Sequence, residues 1–154
     1  MDEMKKKKIA VVILSTEYQQ GHSKCGEKTH FVDKLAEGTK LHTIRGSYEN
    51  WRKKAEQVNA GEMELSIRIW SGMPYKSKQY EVARVQQLCV QRFEGSYGTD
   101  DAKPLCWVDG KAVDAAEIAK NDGLELEDWI EWIFGGSNLV EGGAILQLTG
   151  FRYT

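Results

Sequence analysis

Apolar and polar positions alternate most cleanly in Met63-Glu-Leu-Ser-Ile-Arg-Ile-Trp70, the period of two that predicts a strand. Upstream, Ile9-Ala-Val-Val-Ile-Leu14 is continuous and β-branched, which predicts a strand buried on both faces. Leu41–Arg45 alternates over a shorter span. Gln79–Phe93 carries a β-rich run centred on Tyr80–Val85, and Ala144–Tyr153 returns to strand character.

Helical signals fall between these runs. Thr29 is placed to cap a short helix whose apolar face is Phe31, Val32 and Leu35 and which Gly38 ends. Ser47 opens a second helix over Tyr48–Val58 that stops near Gly61. Asp114 caps a third over Asp114–Asn121. Leu124–Phe134 forms a fourth with Leu126, Trp129, Ile130 and Ile133 on one side, closed by Gly135 and Gly136. Glu17–Lys28 and Glu94–Lys103 are polar, glycine-containing loops, the latter exposed, and Ser71-Gly-Met-Pro74 is a turn. Asp109-Gly110, between short apolar runs in Cys106–Val113, is a hairpin signal, and 95–113 reads as an inserted hairpin. The pattern is α+β, with strands outnumbering helices. Residues 1–154 read as a single domain without repeats, low-complexity tracts or linker.

Composition narrows the setting. A chain of 154 residues is long enough for one self-sufficient core. Three cysteines, Cys25, Cys89 and Cys106, lack the spacing of a disulfide framework, and a cytoplasmic location is expected from them. Lys5–Lys8 followed by Ile9–Leu14 imitates a signal peptide, but the apolar run is short and no small-residue cleavage pattern follows, so residues 1–8 read as a basic tail feeding a strand. No stretch has the length needed to span a membrane. A formal net charge of −2 and a pI near 6.0 supply no overall positive field for sequence-independent nucleic-acid binding, so any RNA contact is local.

Chemistry concentrates in Gly38-Thr-Lys40-Leu-His42-Thr43-Ile-Arg45. Lys40 offers a cation, Thr43 a hydroxyl that donates and accepts, and Arg45 a planar fork matched to a carboxylate, phosphate or base edge. His42 is a candidate to face a ligand, with a surface or hydrogen-bonded role as the alternative. In a strand, Lys40 and Thr43 point to opposite faces, so one pocket holds both only if the backbone turns between them. Trp70–Gln79 interleaves aromatics and cations, so Tyr75, Lys76 and Lys78 are candidates to hold a nucleotide, with an ordinary solvated turn as the alternative. Trp129 and Trp132, at helical spacing, read as core or rim packing rather than a stacking platform. His22-x-x-Cys25 with His30 lacks a second ligand pair, so no metal and no cofactor are expected.

The segment Gly38–Arg45 resembles the Gly-x-Lys-x-x-[Thr/Glu]-x-Arg motif of ASCH domains, relatives of the PUA fold. That resemblance implies a PUA-like mixed β-barrel decorated with short helices, and it extends over about 29–85 and 115–153. The chain is similar, more distantly, to small bacterial N4-acetylcytidine amidohydrolases. This implies Lys40 as base, Thr43 as nucleophile and a downstream acid, for which Asp122 falls nearest in the order of elements, aspartate where those enzymes carry glutamate. The implied ligand is a nucleoside, nucleotide or RNA fragment in a cleft lined by Lys40, Thr43 and Arg45, with hydrolysis of an acylated nucleoside amide as the reaction. A non-catalytic RNA-binding or nucleotide-sensing module, or an accessory interaction domain, is the rival expectation.

Overall fold

The computed structural model describes residues 6–154, so Lys5 of the basic tail lies outside the described residues. The chain runs β1 (Lys8–Ile13), α1 (Phe31–Glu37), β2 (His42–Arg45), α2 (Tyr48–Asn59), β3 (Met63–Trp70), β4 (Gln79–Val85), β5 (Cys89–Ser96), β6 (Leu105–Val108), β7 (Lys111–Asp114), α3 (Ala115–Asn121), α4 (Leu126–Phe134) and β8 (Leu139–Gln147). It is an α+β fold. None of its helices is long and apolar enough to cross a membrane, among the described residues.

Two sheets form, a three-stranded one in the order β1-β3-β4 and a five-stranded one in the order β2-β8-β5-β6-β7. Strand pairing does not join them into the closed barrel expected from the resemblance. Helix α2 instead packs against β3 of one sheet and β5 and β8 of the other. The most deeply buried side chains include Leu65 and Ile67 from β3, Phe93 from β5 and Ile145 and Leu146 from β8, each at most 1% exposed. Each such side chain contributes roughly 1.5–3 kcal/mol by leaving water.

Other sequence expectations change as well. β1 is an edge strand paired only with β3, and Ile9 (40%) and Val11 (36%) face outward while Ala10 and Val12 are buried. One face of β1 is left uncovered, so its continuous apolar run is not buried on both faces. The Gln79–Phe93 run divides at Gln86-Gln87-Leu88 into β4 and β5, which belong to different sheets. Thr29 stands one residue before the N-cap of α1: His30, in the left-handed region, is the N-cap and makes no side-chain cap bond, while the Thr29 hydroxyl donates to Ser15 O at 2.6 Å and accepts the first helical amide, of Phe31, at 3.4 Å. Strand β8 begins at Leu139 and ends at Gln147, leaving Leu148–Thr154 outside any strand.

The β6–β7 hairpin forms where Asp109-Gly110 predicts it, with both residues at positive φ (51° and 80°). It completes the edge of the large sheet and buries Cys106 and Val108. The expected exposed loop from Glu94 begins later, because β5 runs on to Ser96. Gly95 is buried there, and a Cβ on it would stand 2.9 Å from the Phe134 ring. Only glycine lets that ring close over β5, in a cluster where Trp129 meets Phe93 edge-on at 6.0 Å and Phe134 at 6.2 Å.

Candidate active site

Gly38 sets the site's geometry. At φ 81° it ends α1 in the left-handed conformation, its N–H returning to Leu35 O. The next two amides, of Thr39 and Lys40, both donate to Lys34 O. No atom lies within 4 Å of the position a Gly38 Cβ would take, so this glycine serves the turn rather than a close approach. The strand starts only at His42. Lys40 therefore sits on the irregular lead-in and escapes the alternation that would set it opposite Thr43, while Thr43 and Arg45 share one face of β2.

One small pocket is lined by Lys40, Thr43, Arg45 and Asp122, with Phe31 and Trp132 as aromatic walls. Its volume is about 10 Å³, room for a single water-sized group. Lys40 is 1% exposed, and its Nζ donates to Asp122 O at 2.7 Å and Asp122 Oδ1 at 3.1 Å while lying 4.1 Å from the centre of the Phe31 ring. Burial lowers the Lys40 ammonium from its ordinary value, against the opposing pull of Asp122. For Asp122 burial alone would raise the carboxyl, but the Lys40 cation and neighbouring His42 outweigh it and hold the group at about 2.

Asp122 reaches the pocket as the C-cap of α3. Gly123, at φ 84°, turns the chain immediately afterwards, and a Cβ there would stand 3.2 Å from Lys40 Cβ. Lys34 donates to Gly123 O at 2.7 Å, so two lysines meet the carbonyl end of α3, where cations are favoured. Thr43 is 4% exposed and lines the pocket. Arg45 is committed to main chain, donating to Ile13 O and Ile44 O, and the first of these ties β2 to the end of β1.

His42 does not line this pocket. It is fully buried behind Asp122, with Nδ1 3.3 Å from Asp122 Oδ1, outside hydrogen-bond alignment, and Nε2 2.7 Å from the Tyr153 hydroxyl. Asn121 Nδ2 donates to that hydroxyl at 3.1 Å. A buried chain Tyr153–His42–Asp122–Lys40 thus stands behind the pocket. Gln91 holds its far end in place, accepting the Tyr153 N–H at 2.8 Å and donating to Tyr153 O at 2.8 Å.

Tyr75, Lys76 and Lys78 lie on the exposed β3–β4 turn and line neither this pocket nor the larger cleft beside it. His22, from the loop before α1, turns to α4, its Nε2 lying 3.0 Å from Asp128 O.

Comparison with protein-family models, curated proteins and solved structures gives no match. Function is therefore argued from the site itself. Beyond the residues legible in the sequence, the structure adds Trp132, which forms part of both cavities, and Tyr153, which orients His42. The sequence signal for Trp132 was only its place on an amphipathic helix.

Proposed function

We propose that the chain is an ASCH-type, PUA-like domain that binds an acylated nucleoside and hydrolyses its amide. The observation that carries this reading is the convergence of Lys40, Thr43 and Asp122 on one water-sized pocket, although Asp122 lies 82 positions from Lys40 in the chain. A base, a hydroxyl and a carboxylate that steadies the protonated base, in one desolvated space, are parts an acyl transfer can use.

In this reading neutral Lys40 takes the Thr43 proton as Thr43 Oγ bonds to the acyl carbon. The amide C–N bond breaks, and the Lys40 proton passes to the departing amine. Water then gives a proton to Lys40 as its oxygen bonds to the acyl carbon; the bond from Thr43 Oγ to that carbon breaks, the acid leaves, and the Lys40 proton passes to Thr43 Oγ, restoring the hydroxyl and the neutral amine. Burial of Lys40 favours its neutral form, and Asp122 stabilises the ammonium each time the proton arrives.

The binding-module reading requires a basic, aromatic surface continuous with the pocket, and Tyr75, Lys76 and Lys78 do not line it. The test is chromatographic turnover of N4-acetylcytidine and related acylated nucleosides. Release of the free nucleoside by the intact chain, lost in Thr43→Val, supports hydrolysis. Nucleoside binding without release moves the function to the non-catalytic module.

A further inference from the structure

The pocket around Lys40 is too small for a nucleobase or a sugar, so if the reading above holds, most of the ligand sits elsewhere. A cleft of about 690 Å³ adjoins it, between the loop preceding α1 and the C-terminal half of α4. That volume lies in the range of small-molecule sites. Trp132 is the common wall: one half-buried indole borders both the large cleft and the small pocket.

The cleft is built rather than incidental. Ser23 N–H donates to Glu131 Oε2 at 2.8 Å, Lys24 N–H donates to His22 Nδ1 at 3.0 Å, and Lys24 Nζ donates to Asp128 Oδ2 at 2.7 Å. The Ser23 and Lys24 bonds to the Glu131 and Asp128 side chains, with the His22 Nε2–Asp128 O contact, tie the loop to α4, and the Lys24–His22 bond holds the loop itself. Trp132 is braced edge-on by Tyr18 at 5.7 Å and Phe31 at 5.6 Å. Such bracing fixes the plane of the indole before a ligand arrives, which lowers the ordering cost of stacking on it.

The lining also selects by charge. The side chains of Gln19, Gln20 and Ser23 offer donors and acceptors, Glu131 is a carboxylate, and the lining includes no lysine or arginine. The nearby Lys24 is engaged by Asp128. His22 also lines the cleft, but both its ring nitrogens are engaged, Nδ1 by the Lys24 N–H and Nε2 at Asp128 O, so no free cation of the lining faces a phosphate, and Glu131 repels one. We propose that the cleft seats an uncharged planar heterocycle against Trp132, with the amides and Glu131 taking its N–H and O–H groups, and that it rejects the phosphorylated form. This rests on the hydrolase reading only for the direction of the ligand, its reactive end pointing past Trp132 toward Lys40 and Thr43.

Amide NMR shifts of the full chain, titrated with cytidine and separately with cytidine 5′-monophosphate, test this beside turnover of N4-acetylcytidine. The inference expects cytidine to perturb Gln19–Ser23 and Glu131–Gly136, with the monophosphate at least tenfold weaker. Trp132→Ala should weaken cytidine about ten- to hundredfold, the scale of one lost base–aromatic stack, while Trp132→Phe, which keeps a ring, stays within severalfold. Should Trp132→Ala fail to fold, Gln20→Ala at an exposed position carries the test, expected to weaken cytidine several-fold. Turnover with cytidine shifts elsewhere, or equal binding of the monophosphate, overturns the cleft assignment and leaves the hydrolase reading standing. Shifts in the cleft without turnover uphold the cleft and remove the hydrolase reading. Neither shifts nor turnover removes both.

Discussion

Lys40 Nζ donates to both the backbone oxygen of Asp122, at 2.7 Å, and its carboxylate, at 3.1 Å, so one buried residue receives the cation twice. Removing one member of such a pair leaves the other charge uncompensated out of water. Asp122→Asn should therefore cost about 3 kcal/mol or more in urea unfolding. The double variant Lys40→Met with Asp122→Asn, which removes both charges, should lose less than the sum of the two single losses. Additive losses would show that the two groups do not interact.

Acid should weaken the fold through the same carboxylate. The folded value of Asp122, about 2, lies below the ordinary 3.8, so its contribution is complete above 3.8 and is lost as pH falls toward about 2. Its size is on the order of 2 kcal/mol. Urea midpoints measured down the acid range should fall more steeply for the intact chain than for Asp122→Asn, which lacks the titrating group. Parallel slopes would contradict the assignment.

Turnover should rise on the alkaline side, with a midpoint below the ordinary lysine value of 10.5, because burial lowers Lys40 and only its neutral form accepts the Thr43 proton. Rates of N4-acetylcytidine cleavage against pH measure this. A rate that falls over the same range contradicts Lys40 as base.

Gly123 and Gly38 share a left-handed backbone at φ 84° and 81°, yet their surroundings differ. Gly38→Ala meets open space and should cost about 1 kcal/mol of backbone strain. Gly123→Ala adds a contact at 3.2 Å to Lys40 Cβ, and should cost more while also displacing the amine from Asp122. Thermal or urea unfolding of the two variants gives the order, and turnover should fall more for Gly123→Ala.

On the β3–β4 turn, Tyr75 is 89% exposed and Lys76 and Lys78 are exposed beside it. Replacing all three with alanine removes the Tyr75 contact with Trp70 at 5.2 Å and should lower the unfolding free energy by about 1 kcal/mol or less, with turnover unchanged. Loss of nucleoside binding in that triple variant would restore the turn as a ligand surface.

What the sequence made legible was local. Gly38 announces a helix end, and the spacing from Lys40 to Arg45 is short enough that one turn and one strand decide where those side chains point. The order of elements placed Asp122, but not its double contact with Lys40. A run of β-branched residues does not say whether a second layer covers both faces of its strand, and the face of β1 that carries Ile9 and Val11 is left open. β4 and β5 belong to separate sheets because β4 folds back on its neighbour β3 while β5 pairs with the distant β8. The Tyr153–His42 contact joins residues 111 positions apart, and Trp132 becomes a cavity wall only once the loop before α1 packs on α4. Periodicity carries no record of either.

The central claim is that Thr43 carries the acyl group between two proton transfers by Lys40. Acid quenching during turnover of N4-acetylcytidine, followed by intact-mass and peptide mass spectrometry, tests it directly. The account predicts a transient gain of one acetyl group, mapped to Thr43, present with the intact chain and absent from a folded Thr43→Val variant. Cleavage of the substrate by Thr43→Val at the rate of the intact chain would contradict it.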